Sequence, residues 1–284
     1  MLKVLEAIEL SSDYLSKKGI EEARLNAELM LADILGMKRL NLYLNFDRPL
    51  TENEKELYRQ FLARRSKFEP LQYILGYTEF FGLKIFVNQS VLIPRPETEL
   101  LVEAIINRYK NKEINILDIG TGSGAIAIAL AKHLKCKIHA IDVSKPALEI
   151  AKYNAEYNSV DEKIEFLEVD ILEKNFNLSK YDVIVSNPPY VTKKDYVNLQ
   201  KEILDYEPEI ALTDYSDGLR FYIRISNFGL SHLKNNGNLF FEIGKGQEID
   251  IKGIMEKEGY TKIEFIKDYS NIIRIICGEY LCEH

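Results

Sequence analysis

Hydrophobic positions change their rhythm along the chain. Val4, Leu5, Ile8 and Leu15 recur near helical spacing and predict a first helix, ended by a polar turn at Gly19. Ala23, Ala27, Met30, Leu31 and Ile34 predict a second, stopped by Gly36. Thr51-Glu52-Asn53-Glu54 is a capping-box pattern that opens a third, with Leu57, Tyr58, Phe61 and Leu62 on its apolar side and Pro70 as its limit. Residues 76–93 then alternate around Gly82 and Asn88-Gln89-Ser90, which predicts a β-hairpin. From residue 94 onward, short apolar runs alternate with helical patterns. Strands are expected at Ile114–Ile119, Lys137–Ile141, Ile164–Val169, Tyr181–Ser186, Asn238–Ile243, Lys262–Lys267 and Ile272–Gly278. Such alternation predicts an α/β fold, a doubly wound Rossmann-like sheet that is mostly parallel. The last two strands are joined by a short turn and are expected to close it antiparallel. The chain thus divides into a helical segment over 1–75, a hairpin linker over 76–93 and an α/β domain over 94–284.

Composition narrows the class. A hydrophobic share of 46% and a charged share of 29% are globular values, and no uncharged apolar run approaches the length of a membrane-spanning helix. Met1-Leu2-Lys3-Val4-Leu5-Glu6 carries an acid early and lacks the apolar core of a signal peptide. The cysteines, Cys136, Cys277 and Cys282, form no Cys-x-x-Cys pair and suit a reducing, cytoplasmic setting. His133, His139, His232 and His284 show no ligand spacing, so no metal is expected. Basic and acidic residues balance within 1–75, so the net charge of −7 falls on the remainder. A surface meeting duplex phosphates needs the opposite sign, so stable nucleic-acid binding is not expected. An acidic catalytic part favours a basic protein partner. Arg64-Arg65 and Lys67 form a small basic cluster, read as a solvated helix face rather than a phosphate site.

Chemistry concentrates in two places. The strand Ile114–Ile119 runs into Gly120-Thr121-Gly122-Ser123-Gly124, followed by the helix former Ala125–Ala131. Strand, glycine turn and helix let a ligand approach the backbone closely. The spacing is neither the dinucleotide fingerprint nor a phosphate loop, which would need a third glycine position or a Lys-Ser/Thr pair. The next strand ends at Asp142, eighteen residues past Gly124, where a carboxylate can accept hydrogen bonds from both hydroxyls of a ribose. Ser144 caps a helix over 145–158, with Pro146 in its first turn.

The second place is Asn187-Pro188-Pro189-Tyr190, directly after the apolar run Tyr181–Ser186. Two prolines forbid the strand to continue and fix a rigid turn. The Asn187 amide oxygen and a neighbouring carbonyl, that of Pro188, can then accept both hydrogens of a planar –NH2 group. Tyr190 offers an aromatic face on which it can pack.

Glycine turn, acidic strand end and Asn-Pro-Pro-Tyr in this order resemble the class I S-adenosylmethionine-dependent methyltransferases. More narrowly, the chain is similar to the glutamine N5-methyltransferases of peptide chain release factors. The similarity extends over Pro70–Gly76, Phe81–Leu83, Val91–Leu101 with its Pro94-Arg95-Pro96-Glu97-Thr98-Glu99 core, Glu207-Pro208, Ala211-Leu212, Asp217–Leu219, and Glu242–Gly244 with Gln247.

The resemblance implies S-adenosyl-L-methionine as cofactor, leaving as S-adenosyl-L-homocysteine. It implies cofactor contacts from Gly120, Thr121, Gly122, Ser123, Gly124, Asp142 and Asn187, with Asp170 and Ile171 edging the adenine. Aromatics are frequent in the family where Ile171 stands, so no stacking partner is assigned there. The catalytic group is Asn187, Pro188, Pro189 and Tyr190. The implied substrate is the glutamine of the Gly-Gly-Gln loop in class 1 release factors; segment 1–75 either docks the body of that substrate or only stabilises the enzyme. Arg95 and Glu97 either shape the site entrance or form a structural salt bridge. Three other readings stay open on the sequence: a ribosomal-protein glutamine methyltransferase, a nucleic-acid adenine N6-methyltransferase, and a non-catalytic cofactor-binding assembly factor.

Overall fold

A computed structural model describes residues 1–173 and 179–281; Cys282 and His284 lie outside the described residues. The chain forms two compact units: Met1–Tyr77 together with Gln200–Tyr206, and Thr78–Leu199 together with the chain from Glu207 onward.

The first unit opens with α1 (Val4–Lys17), α2 (Ala23–Ile34), α3 (Arg39–Leu44), α4 (Glu52–Arg65) and α5 (Leu71–Leu75). The capping box forms as the sequence predicts. Thr51 Oγ1 accepts from the Glu54 N–H at 3.3 Å, and the Thr51 N–H donates to Glu54 Oε2 at 2.8 Å. The apolar stripes of these helices meet in one core containing Val4, Leu15, Met30, Leu31 and Leu42. Each such side chain, taken out of water, contributes roughly 1.5–3 kcal/mol. Tyr58 crosses that core to donate its hydroxyl to the Ala27 carbonyl at 2.9 Å.

The expectation of a solvated Arg64-Arg65 face is corrected here. Arg65 is only 4% exposed. Its Nε donates to Asn26 Oδ1 at 2.7 Å, its Nη1 to the Glu69 carbonyl at 2.9 Å and its Nη2 to Glu202 Oε1 at 2.8 Å. Arg64 pairs with Glu69 at 2.6 Å. A guanidinium tolerates burial when its fork of donors is satisfied, and periodicity alone gives no sign of those partners.

In the second unit, β1 (Tyr77–Phe80) and β2 (Leu83–Phe86) form the expected hairpin. Its two-residue turn has φ of 51° at Phe81 and 71° at Gly82, the positive pair that matches strand twist. Asn154 ties β2 down: its Oδ1 accepts from the Phe86 N–H at 2.8 Å and its Nδ2 donates to the Phe86 carbonyl at 2.9 Å.

The chain then runs through α6 (Thr98–Tyr109), β3 (Glu113–Ile119), α7 (Ala125–His133), β4 (Lys135–Asp142), α8 (Lys145–Tyr157), β5 (Ile164–Glu168) and β6 (Tyr181–Ser186). It continues through α9 (Lys193–Tyr196), then α10 (Lys201–Tyr206), which belongs to the first unit, and then α11 (Arg220–His232), β7 (Leu233–Glu242), α12 (Glu248–Lys257), β8 (Tyr260–Lys267) and β9 (Ile273–Tyr280). Seven strands make one sheet in the order β5-β4-β3-β6-β7-β9-β8. β3 pairs in parallel with both β4 and β6, and β9 pairs antiparallel with β7 and β8.

The class is the α/β doubly wound sheet that the sequence predicts. Helices cover both faces, so central strands are apolar on both sides, as Val183, Ile184 and Val185 of β6 are. One strand boundary differs by more than two residues. β7 begins at Leu233, five residues before the expected Asn238, and runs through the polar Lys234-Asn235-Asn236-Gly237. Asn236 takes a φ of 63°, and the pairing of β6 with β7 shifts register between Tyr181 and Val183. Polarity masks that irregular stretch in the sequence.

The order of strands reverses beside β3, where β4 and β6 flank it. That switch point leaves a crevice outside the carboxyl ends of the strands, and ligands of such sheets bind there.

Candidate active site

The glycine turn opens from the end of β3. Gly120, Gly122 and Gly124 have φ of 72°, 54° and 81°, a region in which a side chain is strained. A Cβ on Gly124 would also lie 3.1 Å from the Ala151 Cβ, so glycine is what lets α7 sit against α8. At Gly120 and Gly122 the space where a Cβ would stand is open, and both residues line a cavity of about 220 Å³. The N–H groups of Gly120 and Thr121 both donate to the Ile141 carbonyl, at 2.9 and 3.0 Å, which binds the turn to the end of β4.

Two carboxyl groups stand under the turn. Asp142 accepts from the Gly122 N–H at 2.8 Å through Oδ2 and from the Ser144 N–H at 2.9 Å through Oδ1. Burial pushes its pKa up, opposed by those backbone bonds. Asp118 is fully buried; Oδ2 accepts from the Thr121 hydroxyl at 2.7 Å, and Oδ1 has no hydrogen-bond partner among the described residues. Burial, and then the neighbouring Asp142, push Asp118 up to about 7. The Thr121 hydroxyl and the Ala127 backbone oppose that rise.

The Asn-Pro-Pro-Tyr segment leaves the end of β6, adjacent to β3. Ser186, fully buried, donates its hydroxyl to the Ile119 carbonyl at 2.8 Å and so ties the two strand ends together. Beyond the prolines, Gln247 braces the turn. Its Nε2 donates to the Tyr190 carbonyl at 3.2 Å and its Oε1 accepts from the Gly244 N–H at 3.0 Å. Asn187 directs Nδ2 at the Thr98 hydroxyl, 3.4 Å away. Burial raises the Tyr190 phenol to about 12, so it stays neutral.

Gly120, Gly122, Asp142, Asp170, Ile171, Asn187, Pro188 and Pro189 all line the one cavity. Thr121, Ser123 and Gly124 shape the turn from behind, the Ser123 carbonyl accepting from Asn154 Nδ2 at 2.9 Å. Tyr190 stands beside the cavity at Gly244. The geometry suits a small molecule with a ribose near Asp142 and a reacting group near Asn187. Free volume and closely approachable glycines together fit a nucleoside cofactor.

Residues 6–76 match the family model described as the PrmC N-terminal domain, and residues 95–210 match that of the methyltransferase small domain. The release factor glutamine methyltransferase of Leptospira interrogans is 45% identical over 96% of this chain and 96% of its own. That of Geobacter sulfurreducens is 40% identical over 97% of this chain and 96% of its own. The chain belongs to the release factor glutamine methyltransferase family. In fold it is also similar to the crystal structure of a methyltransferase from Pyrococcus furiosus. That likeness has a TM-score of 0.55 and 19% identity, covering 82% of this chain and 100% of the other.

As a member of this family, the chain places several residues at its site that sequence reasoning did not assign. Thr98 and Glu242 stand behind Asn187, and Asp118 stands under the glycine turn. Val91, Ala147, Ile210 and Phe221 line the cavity. The signal for Thr98 and Glu242 was their place within the resemblance, but nothing in the spacing pairs residues so far apart. Arg95 and Glu97 both form salt bridges, to Glu207 at 2.6 Å and to Arg274 at 3.6 Å. Among the described residues no cluster of His, Cys, Asp or Glu could hold a metal, and no helix is long and apolar enough to cross a membrane.

Proposed function

We infer that this protein transfers a methyl group to the side-chain amide nitrogen of a glutamine in the Gly-Gly-Gln loop of class 1 peptide chain release factors, using S-adenosyl-L-methionine. The single observation that carries the reading is Asn187: it lines the cavity with Nδ2 engaged by the buried Thr98, which leaves Oδ1 to meet a substrate. Gly120, Gly122 and Asp142 would hold the cofactor, with Asp170 and Ile171 at the adenine edge. When bound, the cofactor supplies a methyl carbon made electrophilic by a sulfonium.

A carboxamide nitrogen is a poor nucleophile, because its lone pair is delocalised into its carbonyl. Asn187 Oδ1 and the Pro188 carbonyl accept its two N–H bonds and favour a nitrogen that is losing planarity and gaining positive charge. That interaction strengthens in the transition state and so accelerates the reaction. The two prolines keep both acceptors in place, which limits the reorganisation needed at the moment of reaction. Tyr190 packs on the amide. The nitrogen gains a carbon and sheds one proton to water, so no side-chain base is assigned.

We assign substrate docking to the helical unit. Leu40 and Leu44, one turn apart on α3, and Phe46 just beyond it are exposed at 72%, 77% and 53%, apolar side chains that a protein surface would cover. The net charge of −7 falls outside residues 1–75 and suits a basic partner at the catalytic part.

Mass spectrometry of a class 1 release factor incubated with enzyme and cofactor tests the proposal. One glutamine in the Gly-Gly-Gln loop gains one CH2. Modification of a ribosomal protein or of adenine in nucleic acid, with the release factor untouched, overturns it.

A further inference from the structure

Asn187 has two orientations of nearly identical shape, differing only in which of Oδ1 and Nδ2 faces the cavity. Only the one that presents Oδ1 can accept an N–H from a substrate amide. What selects it lies behind the loop.

Thr98, the first residue of α6, is 4% exposed, and Glu242, the last residue of β7, is 3% exposed. The Thr98 hydroxyl donates to Glu242 Oε2 at 2.6 Å. A threonine hydroxyl has one proton, and when Glu242 is ionised its carboxylate takes it. Toward Asn187 the Thr98 oxygen therefore offers only lone pairs. An N–H can meet them, as Asn187 Nδ2 does at 3.4 Å, and Asn187 also holds the Glu242 pKa down, as a donor facing its carboxyl group does. An Asn187 turned over would set Oδ1 against lone pairs and a carboxylate, with no proton between them.

We propose that Thr98 and Glu242 are positioning residues that fix which way round the Asn187 amide stands, so that its oxygen faces the substrate glutamine. The pair is itself held from all sides. The Tyr222 hydroxyl donates to the Glu242 carbonyl at 2.9 Å, and Glu97, Arg274, Tyr190 and Tyr222 are, among the described residues, charged or titratable side chains that act on the Glu242 carboxyl group. Arg274 is in turn engaged by Asp268 at 3.0 Å and Glu97 at 3.6 Å, so it does not compete for Asn187. The relay acts through Asn187 and touches neither substrate nor cofactor. It rests on the reading of Asn187 as the acceptor of the substrate amide.

The test compares Thr98→Val, which keeps the shape and removes the hydroxyl, with Thr98→Ser, which keeps the hydroxyl. With saturating cofactor at pH 8, where Glu242 is ionised, Thr98→Val lowers kcat on the release factor by about tenfold, the scale of one lost hydrogen bond. KM for the release factor and the affinity for S-adenosyl-L-homocysteine stay within a factor of three. Thr98→Ser restores kcat. In an Asn187→Ala background, Thr98→Val lowers kcat no further, because the amide that it orients is gone. A merely structural role would give the same loss with or without Asn187. Full turnover by Thr98→Val, or an undiminished effect in the Asn187→Ala background, overturns the proposal. If Thr98→Val does not fold, Glu242→Gln serves under the same criteria, since an amide there accepts either orientation of Asn187. A parent enzyme that leaves glutamine unmethylated overturns the function and the relay together. A parent that methylates it while the variant keeps pace overturns the relay alone.

Discussion

A Cβ placed on Gly218 would lie 2.4 Å from the carbonyl oxygen of Tyr190. That oxygen also accepts from Gln247 Nε2 at 3.2 Å, so the loop after Asp214 and the Asn-Pro-Pro-Tyr turn are fitted backbone to backbone. Gly218 has a φ of 81°, and Asp214 Oδ1 accepts its N–H at 3.0 Å. Nothing larger than hydrogen fits.

Gly218→Ala therefore displaces Tyr190 as well as straining its own backbone. The strain alone costs about 1–2 kcal/mol. Turnover falls roughly tenfold or more, as misplacement of a catalytic group does. Steady-state kinetics and urea unfolding check both effects. A variant with parental kcat and reduced stability would show that the close fit serves folding only.

Asn187→Ala removes an acceptor that acts in the transition state. By analogy with single oxyanion-hole donors, kcat falls about 10²–10³-fold. Binding of S-adenosyl-L-homocysteine, measured by calorimetry, changes by less than about threefold, because the loss is on the substrate side. Equal turnover at saturating cofactor defeats the role given to Asn187.

Glu242 gives the enzyme a stability profile of defined sign. Burial raises its carboxyl to about 7, with Glu97 adding to the rise and Thr98, Arg274 and Asn187 opposing it. The folded form therefore holds a proton that the unfolded chain releases near its ordinary value of 4.5. The contribution is fully present below about 4.5 and is lost as pH rises through about 7. Its full size is on the order of 3 kcal/mol. Glu242→Gln should lose least, or gain, at pH 8 relative to the parent, and compare worst near pH 5. Urea midpoints of both proteins across that range check it; parallel profiles contradict it.

Leu44→Asp places a charge in the exposed apolar cluster of the helical unit. KM for an intact release factor rises several-fold, as loss of an interface anchor does. Turnover of a short Gly-Gly-Gln peptide stays at the parental level. An unchanged KM for the intact protein removes the docking role.

Local features were the legible ones. The capping box at Thr51, the Ser144 cap, the Phe81-Gly82 turn and the glycine turn are each written within a few residues, and a short stretch of chain suffices to dictate them. The long apolar periodicities of α1, α2 and α4 were equally plain. Helices α3 and α5 were not, since five or six residues are too few to display a period. Arg65 reads as a surface cation because its partners come from Asn26 and Glu202, far off in sequence. At the site, Asn187 and the glycines announce their chemistry by type. Thr98 and Glu242 do not, because their contact joins residues 144 positions apart and exists only once the sheet has formed.

The arrangement of the last strands bears on how the enzyme is made. β8 touches the sheet only through β9, which lies between it and β7. A growing polypeptide leaves the ribosome with its earlier segments first. β8 therefore emerges as an unpaired edge and waits for the strand after it to slide into the vacant berth beside β7. Newborn molecules pass through an interval in which the flank of the sheet beyond β7 is open. In that interval the protein is most in need of chaperones and most exposed to clumping with its neighbours.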